Sequence, residues 1–370
     1  MWKYEDIDEI NIEISSLCNS ICAWCPRYEN MSTVVNKQLT PQYISIDTFK
    51  EWFPPELVSR IKHWTYSGDY GDAGTNPDLV EIFKYTFEYA PNAGVRVHTN
   101  GGMKNPKFWS ALGKLFSLNE NRLVVFSIDG LADTNHIYRR NVNWQKVMDN
   151  SAAYISKGGR AEWDFLTFKH NEHQIDDVIS LANEMGFSNT HIKYPKGFEK
   201  GSMKVRDSEM NVLYEIEPVS EEHIQDSYPE LNGLKAEDIP YEHFGNEMES
   251  HFSDVDGEIN CFSMRSGTEV RITSDGIVYP CAHFGHLSKH PRENQAILKS
   301  QMLHIFKDKK LSLHDRSLKD ILEDDPFNWV YNSWDKKSCL TCWGNCGSSK
   351  DKKTIMQQIY QKDGKIHGTI

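Results

Sequence analysis

Strand-like and helix-like segments alternate over the first two hundred residues of this chain, and that rhythm constrains the fold more than any other feature. Ile10 to Ile14 reads as a strand, and Asp47 to Arg60 as a helix with Asp47 as its N-cap. Strand Ile61 to Tyr66 precedes helix Pro77 to Tyr89, and strand Gly94 to His98 precedes helix Pro106 to Phe116. Strand Leu123 to Ile128 then leads to helix Trp144 to Lys157, and strand Trp163 to Phe168 to helix Glu172 to Met185. Thr190 to Lys193 closes the series as a short strand. Strands joined through helices of this length run parallel, in a partial barrel or an open sheet, and periodicity alone does not choose between them.

The alternation ends near Pro195. Residues 196–256 are acidic, lack strong periodicity and read as a bridging segment with room for one short helix. Residues 257–350 form a small cysteine-rich α+β region with short strands at Glu269 to Thr273 and Ile277 to Tyr279. Residues 351–370 read as a C-terminal tail.

The formal charge is −12, with no dense basic run, so nucleic acid is not an expected partner. No segment approaches the ~20 apolar residues a membrane helix needs, and the N-terminus has no apolar signal core. The expectation is a cytoplasmic protein, in which eight cysteines serve metals or catalysis rather than disulfides. They fall into two groups: Cys18, Cys22 and Cys25 near the start, and Cys261, Cys281, Cys339, Cys342 and Cys346 near the end. That layout predicts two separate metal sites.

Cys18-Asn19-Ser20-Ile21-Cys22-Ala23-Trp24-Cys25 follows directly on a strand. Three thiolates on one loop leave a four-iron cluster one ligand short, and an open iron is what a catalytic site needs. The competing reading is a zinc site that borrows a distant ligand such as His98.

This loop resembles the signature of the radical S-adenosylmethionine (SAM) superfamily, where an aromatic residue, here Trp24, precedes the third cysteine. Ser67-Gly68-Asp69-Tyr70-Gly71-Asp72 before Asn76-Pro77-Asp78 resembles that family's second-strand motif, with Asp72 where the family usually has Glu. Thr99-Asn100-Gly101 and Ser127-Ile128-Asp129-Gly130 resemble its turns after the third and fourth strands. The resemblance covers residues 8–195 and implies a partial (β/α)6 TIM-like barrel. It also implies a [4Fe-4S] cluster on Cys18, Cys22 and Cys25, with SAM chelating the open iron. Trp24, Gly71, Asp72, Asn100 and Ser127 then serve as SAM-binding residues. Arg139 or Arg140 pairs with the SAM carboxylate, or is a helix-surface charge.

The C-terminal cysteines, with Gly276 five residues before Cys281, resemble the SPASM and Twitch extensions of radical SAM enzymes. A full SPASM domain uses seven cysteines for two clusters; five here fit a Twitch-like domain with one auxiliary [4Fe-4S] cluster. Cys261, Cys281, Cys339 and Cys342 are the preferred ligands, with Cys346 the spare or the replacement for Cys339. A zinc ribbon is the alternative. His283 and His286 read as loop histidines rather than ligands.

The implied reaction is reductive cleavage of SAM to methionine and a 5'-deoxyadenosyl radical, which abstracts a hydrogen atom from a substrate. Flavodoxin or ferredoxin is the implied electron donor. The expected substrate is a small molecule of the sugar, aminocyclitol or nucleotide type. Modification of a peptide or protein side chain is the alternative, disfavoured by the short run of residues before the first strand. Ala282 replaces the aspartate that sulfatase maturases carry after this cysteine, which argues against that reaction. An iron-sulfur protein that only carries electrons is a third reading.

Overall fold

The computed structural model describes residues 2–193, 195, 198, 201–219, 258–264, 268–290, 302–303, 305–306, 310–334, 339, 341–342, 346–348, 358–362 and 365–369. Its centre is a ten-stranded sheet. Six strands come from the alternating region: β1 (Glu9–Ile12), β2 (His63–Tyr66), β3 (Gly94–Thr99), β4 (Arg122–Ser127), β5 (Arg160–Leu166) and β6 (Asn189–Lys193). They pair in chain order and all run parallel. The architecture is a partial TIM-like barrel within an α/β fold.

Two further pieces extend the sheet. β7 (Glu269–Ile272) pairs parallel with β1, and β8 (Val278–Tyr279) turns back antiparallel on β7. At the opposite edge β9 (Gln358–Lys362) pairs antiparallel with β6 and with β10 (Lys365–Thr369). The cysteine-rich region therefore adds strands to the barrel sheet, and the expected tail is a two-stranded edge. The described part of the bridging segment contains a hairpin, Met203–Arg206 with Val212–Ile216. Most of that segment lies outside the described residues.

Alternation along each strand sorts the two faces of the sheet. Ile10, Ile12, Trp64, Tyr66, Val95, Val97, Val124, Phe126, Trp163, Phe165, Ile192, Val270 and Ile272 belong to one buried core. Helices cover that face. α1 (Ile46–Trp52) contributes Phe49 and Trp52, and α2 (Leu79–Tyr89) contributes Leu79, Ile82, Phe83 and Thr86 at helical spacing. α3 (Pro106–Phe116) begins with Asn105 capping the Phe108 amide, and it packs on α4 (Trp144–Ile155). The approach is close: a Cβ on Gly113 would lie 2.2 Å from the carbonyl oxygen of Tyr154. α5 (Ile175–Met185) ends at Gly186, which holds the left-handed φ of 85° that a glycine tolerates.

One expected cap is corrected. Ser45, not Asp47, accepts the Thr48 amide at the start of α1. The helix also stops at Trp52, because Pro54 and Pro55 interrupt it before a separate turn at Pro55–Val58.

Candidate functional site

The first three cysteines sit on the loop that leaves β1, at the end of the sheet where the parallel strands finish. Residues Ile21–Cys22 pair antiparallel with Arg139–Arg140, which follow β4. Neither arginine is therefore a helix-surface charge. Arg140 donates to the carbonyls of Ile21 and Ser32. Arg139 donates through Nε to Asp129 Oδ2 at 2.5 Å and through Nη1 to Cys22 Sγ at 3.5 Å. Burial opposes the charge on Arg139, but Asp129 and then Cys22 outweigh it and hold its pKa above the ordinary value. Asp129 is itself fully buried, and it accepts the Leu166 amide at 2.7 Å. The segment after the fourth strand thus holds the cysteine loop through backbone pairing and arginine contacts, and the Asp129–Arg139 ion pair steadies that segment.

The second anchor is Asp72. Its carboxylate accepts from the amides of Gly74 and Asn100, the Thr99 hydroxyl and Asn100 Nδ2, all near 2.8–2.9 Å. Burial still pushes Asp72 upward in pKa against these donors. Asn100 extends the network to Asn19 Oδ1 at 2.9 Å and toward Cys18 Sγ at 3.7 Å. Gly71 is required by contact, since a Cβ there would lie 1.9 Å from the Ser15 carbonyl oxygen. Gly101, at φ 72°, turns the chain after β3. Trp24 is half-buried in a small cluster with Tyr138 and Phe168. Ser127 is half-buried at the end of β4, in register with Asp164 on β5.

The structure therefore brings Cys18, Cys22, Cys25, Asp72, Asn100 and Arg139 together at the strand ends. Burial pushes the Cys18 thiol well up, and Asp72, Cys22 and Cys25 add to this as neighbours. A buried thiol in such surroundings ionises when a metal binds it. Among the described residues no three His, Cys, Asp or Glu side chains close around a single ion. A four-iron cluster asks for something looser, one thiolate to each of three irons. His98 has Asp164, Arg96, Lys193 and Glu162 as its charged neighbours, rather than the cysteine loop.

Several residues of this site carry no motif. Glu13 accepts the amides of Tyr70 and Gly71 at 2.7 and 3.0 Å and so shapes the loop that ends at Asp72. Arg27 reaches the carbonyls of Ser16 and Tyr70. The signal for Glu13 was present as the alternation Ile10, Ile12, Ile14 against Asn11 and Glu13, which marks a strand with one polar face.

The C-terminal cysteines converge too. Cys261, Cys281, Cys342 and Cys346 line one small pocket, together with Trp2, His283 and other residues. The free thiols of Cys261 and Cys346 share a hydrogen bond, as do those of Cys339 and Cys342, with Cys339 fully buried and not among the lining residues. Cys281 opens α6 (Ala282–Ser288), which carries His286 toward Asp69 at 3.7 Å. Among the described residues no helix is long and apolar enough to cross a membrane.

No family model matches the chain, and no curated protein matches it by sequence. Its fold does match solved structures. Streptococcus suis SuiB bound to precursor peptide SuiA superposes with a TM-score of 0.53 at 13% identity, covering 88% of this chain and 67% of that one. SuiB bound to S-adenosylmethionine gives 0.53 at 12% identity, over 88% and 68% of the two chains. Native anSMEcpe with bound AdoMet and Cp18Cys peptide gives 0.50 at 14%, over 93% and 91%. These are radical SAM enzymes. The fold is that of the radical SAM enzymes. At such identities the likeness speaks for architecture, and the chemistry rests on the residues themselves.

One titration follows from the geometry around His98. Burial draws its pKa from 6.5 down to about 4, Asp164 and Glu162 pull it up, and Arg96 and Lys193 pull it down. The unfolded chain therefore takes up a proton that the folded chain refuses between those two values. Stability should fall as pH drops through that window. Urea midpoints measured from pH 7 to pH 4 should show this fall, and His98→Gln should flatten it; an unchanged slope in the variant would contradict the assignment.

Proposed function

We propose that the chain is a radical SAM enzyme that abstracts a hydrogen atom from a small polar substrate. The observation that carries this is the cysteine loop itself, held at the ends of the parallel strands with Asn100 and Arg139 reaching its sulfurs. Ligands gather at that end of parallel sheets. Cys18, Cys22 and Cys25 would hold a [4Fe-4S] cluster whose open iron takes SAM. When bound, the pair supplies reductive cleavage of SAM and the hydrogen abstraction that follows. The chain's own residues do the positioning. Asp72 spends its oxygens on the Thr99-Asn100 turn and places a negative charge beside Cys18 for the SAM ammonium. Arg139, already paired with Asp129, presents its remaining donors to the cysteine loop and the SAM carboxylate. Trp24 and Ser127 would complete the SAM pocket in this reading.

The cavity lined by four cysteines supports an auxiliary [4Fe-4S] cluster, with Cys261, Cys281, Cys342 and Cys346 as ligands. This modifies the sequence preference: Cys339 becomes the spare, because it stands outside the lining. The two assignments separate by iron content. Reconstituted protein should bind about eight iron, and Cys346→Ala should lose close to half while Cys339→Ala keeps nearly all. The reverse result would restore Cys339 as the ligand, and one zinc in place of the second cluster would remove the auxiliary cluster altogether.

Modification of a peptide side chain is the second reading. It is favoured by the fold shared with SuiB, whose structure holds a precursor peptide, and with anSMEcpe, whose structure holds the Cp18Cys peptide. A flavodoxin or ferredoxin donor and a cytoplasmic setting go with either reading. A pure electron carrier would leave the Asp72 and Asn100 network without a purpose. Electron paramagnetic resonance of the reduced protein tests the proposal: SAM should shift the signal of the N-terminal cluster, and a spectrum indifferent to SAM would overturn it.

A further inference from the structure

The sheet face opposite the helices is polar, and besides the Glu162 cluster with Arg96, Arg160 and His191 it holds two charged groups of different character. Around β7, β1 and β2, Arg271 is fully buried: its terminal nitrogens donate to Asn11 Oδ1 at 2.5 Å, Ser67 Oγ at 2.9 Å and Asp69 Oδ2 at 2.7 Å, while its Nε has no hydrogen-bond partner among the described residues. That group is spent on holding the fold. Across the barrel, Lys193 on β6 donates to Asp164 Oδ2 on β5 at 2.6 Å. These two side chains remain 20% and 13% exposed, so solvent reaches the pair. His98 on β3 faces them and is held neutral, and Ser127 is in register with Asp164. The pair therefore lies at the strand ends, one strand away from Asp129 and the arginine that touches Cys22.

Taking the radical SAM reading as its basis, the geometry points to Asp164 and Lys193, with His98 beside them, as the anchor for vicinal hydroxyl groups of a polyol-type substrate. The chemistry of the groups selects that class. Asp164 keeps one oxygen free of Lys193 as an acceptor, Lys193 keeps two ammonium protons, and a neutral imidazole offers one donor and one acceptor. Adjacent hydroxyls each donate and accept, so they meet this set in full. A ligand of net charge finds no uncompensated partner, because Asp164 and Lys193 cancel each other. An apolar side chain would bury both charges without replacing their hydrogen bonds with water, which is costly.

The test follows one deuterium atom. Reconstituted, reduced protein with unlabelled SAM is given perdeuterated myo-inositol, perdeuterated glucose or a peptide digest of perdeuterated protein in separate reactions. Singly deuterated 5'-deoxyadenosine is then scored by mass spectrometry. A polyol should deliver the label, and Asp164→Asn and Lys193→Met should each cut that transfer roughly ten- to a hundredfold, the loss expected for one charge-assisted hydrogen bond. Iron content checks that both variants fold. Label arriving from the peptide digest alone, from no probe, or from a polyol equally well in both variants would overturn the subsite. Wild-type protein that forms no 5'-deoxyadenosine under any condition would instead overturn the radical SAM reading beneath it.

Discussion

Alanine at Cys18, Cys22 or Cys25 should abolish SAM cleavage while leaving about half of the iron in place. The three thiols are the whole protein ligand set of the proposed N-terminal cluster, and none is replaceable by a neighbour. Asp72 is the nearest other anion, and its oxygens are already occupied by Thr99, Asn100 and Gly74. Loss of one thiolate thus leaves a second iron open and the cluster labile. The C-terminal cysteines sit around a different cavity, so their iron should persist. Parallel iron, sulfide and 5'-deoxyadenosine assays on the three variants check both halves. Near-normal 5'-deoxyadenosine from any one of them would remove that cysteine from the site.

The largest stability loss is expected at Arg271. Its guanidinium is fully buried, supplied by a strand that enters the sheet 260 residues after its partner β1. Burial raises the pKa of Asp69, but Arg271 and then His286 more than offset this and hold it below the ordinary value. Glu13 stands nearby, pushed upward by burial and by Asp69, with Arg271 opposing. Arg271→Met should strand this acidic pair and cost about 3–5 kcal/mol, the usual penalty for breaking a buried ion pair from one side. Adding Asp69→Asn should recover part of the loss. Thermal and urea unfolding of the two variants measure it, and a single variant as stable as the wild type would show the network to be dispensable. The sign of the pH dependence follows as well. A depressed Asp69 pKa stabilises the fold above its unfolded value of 3.8, and that contribution disappears as pH falls through the lower folded value.

What could be read in advance divides along physical lines. Six parallel strands were legible because each carries its own local period, and their neighbours in sequence are their neighbours in space. The cysteine loop, Asp72, Asn100 and Arg139 are named through motifs that resemble a known family, and the structure gathers them at the strand ends. The seventh parallel strand was not. Glu269–Ile272 has the composition of any short strand, and nothing local states that its partner is β1. Arg271 escaped for the same reason, since it gains its meaning only when those two strands meet. Ser45 and Asp47 compete for one cap, and only the backbone geometry separates them. Among the C-terminal thiols, spacing favoured Cys339 as half of a CxxC pair. In the structure Cys339 is buried against Cys342 by a thiol hydrogen bond and is not among the residues lining the pocket.

The central claim is that this cysteine loop cleaves SAM. Anaerobic protein reconstituted with iron and sulfide, reduced with dithionite and supplied with SAM, should release 5'-deoxyadenosine and methionine in equal amounts. Protein carrying alanine at Cys18, Cys22 and Cys25 should release none. Full iron loading with no 5'-deoxyadenosine from the wild type, or equal release from both proteins, would contradict the account.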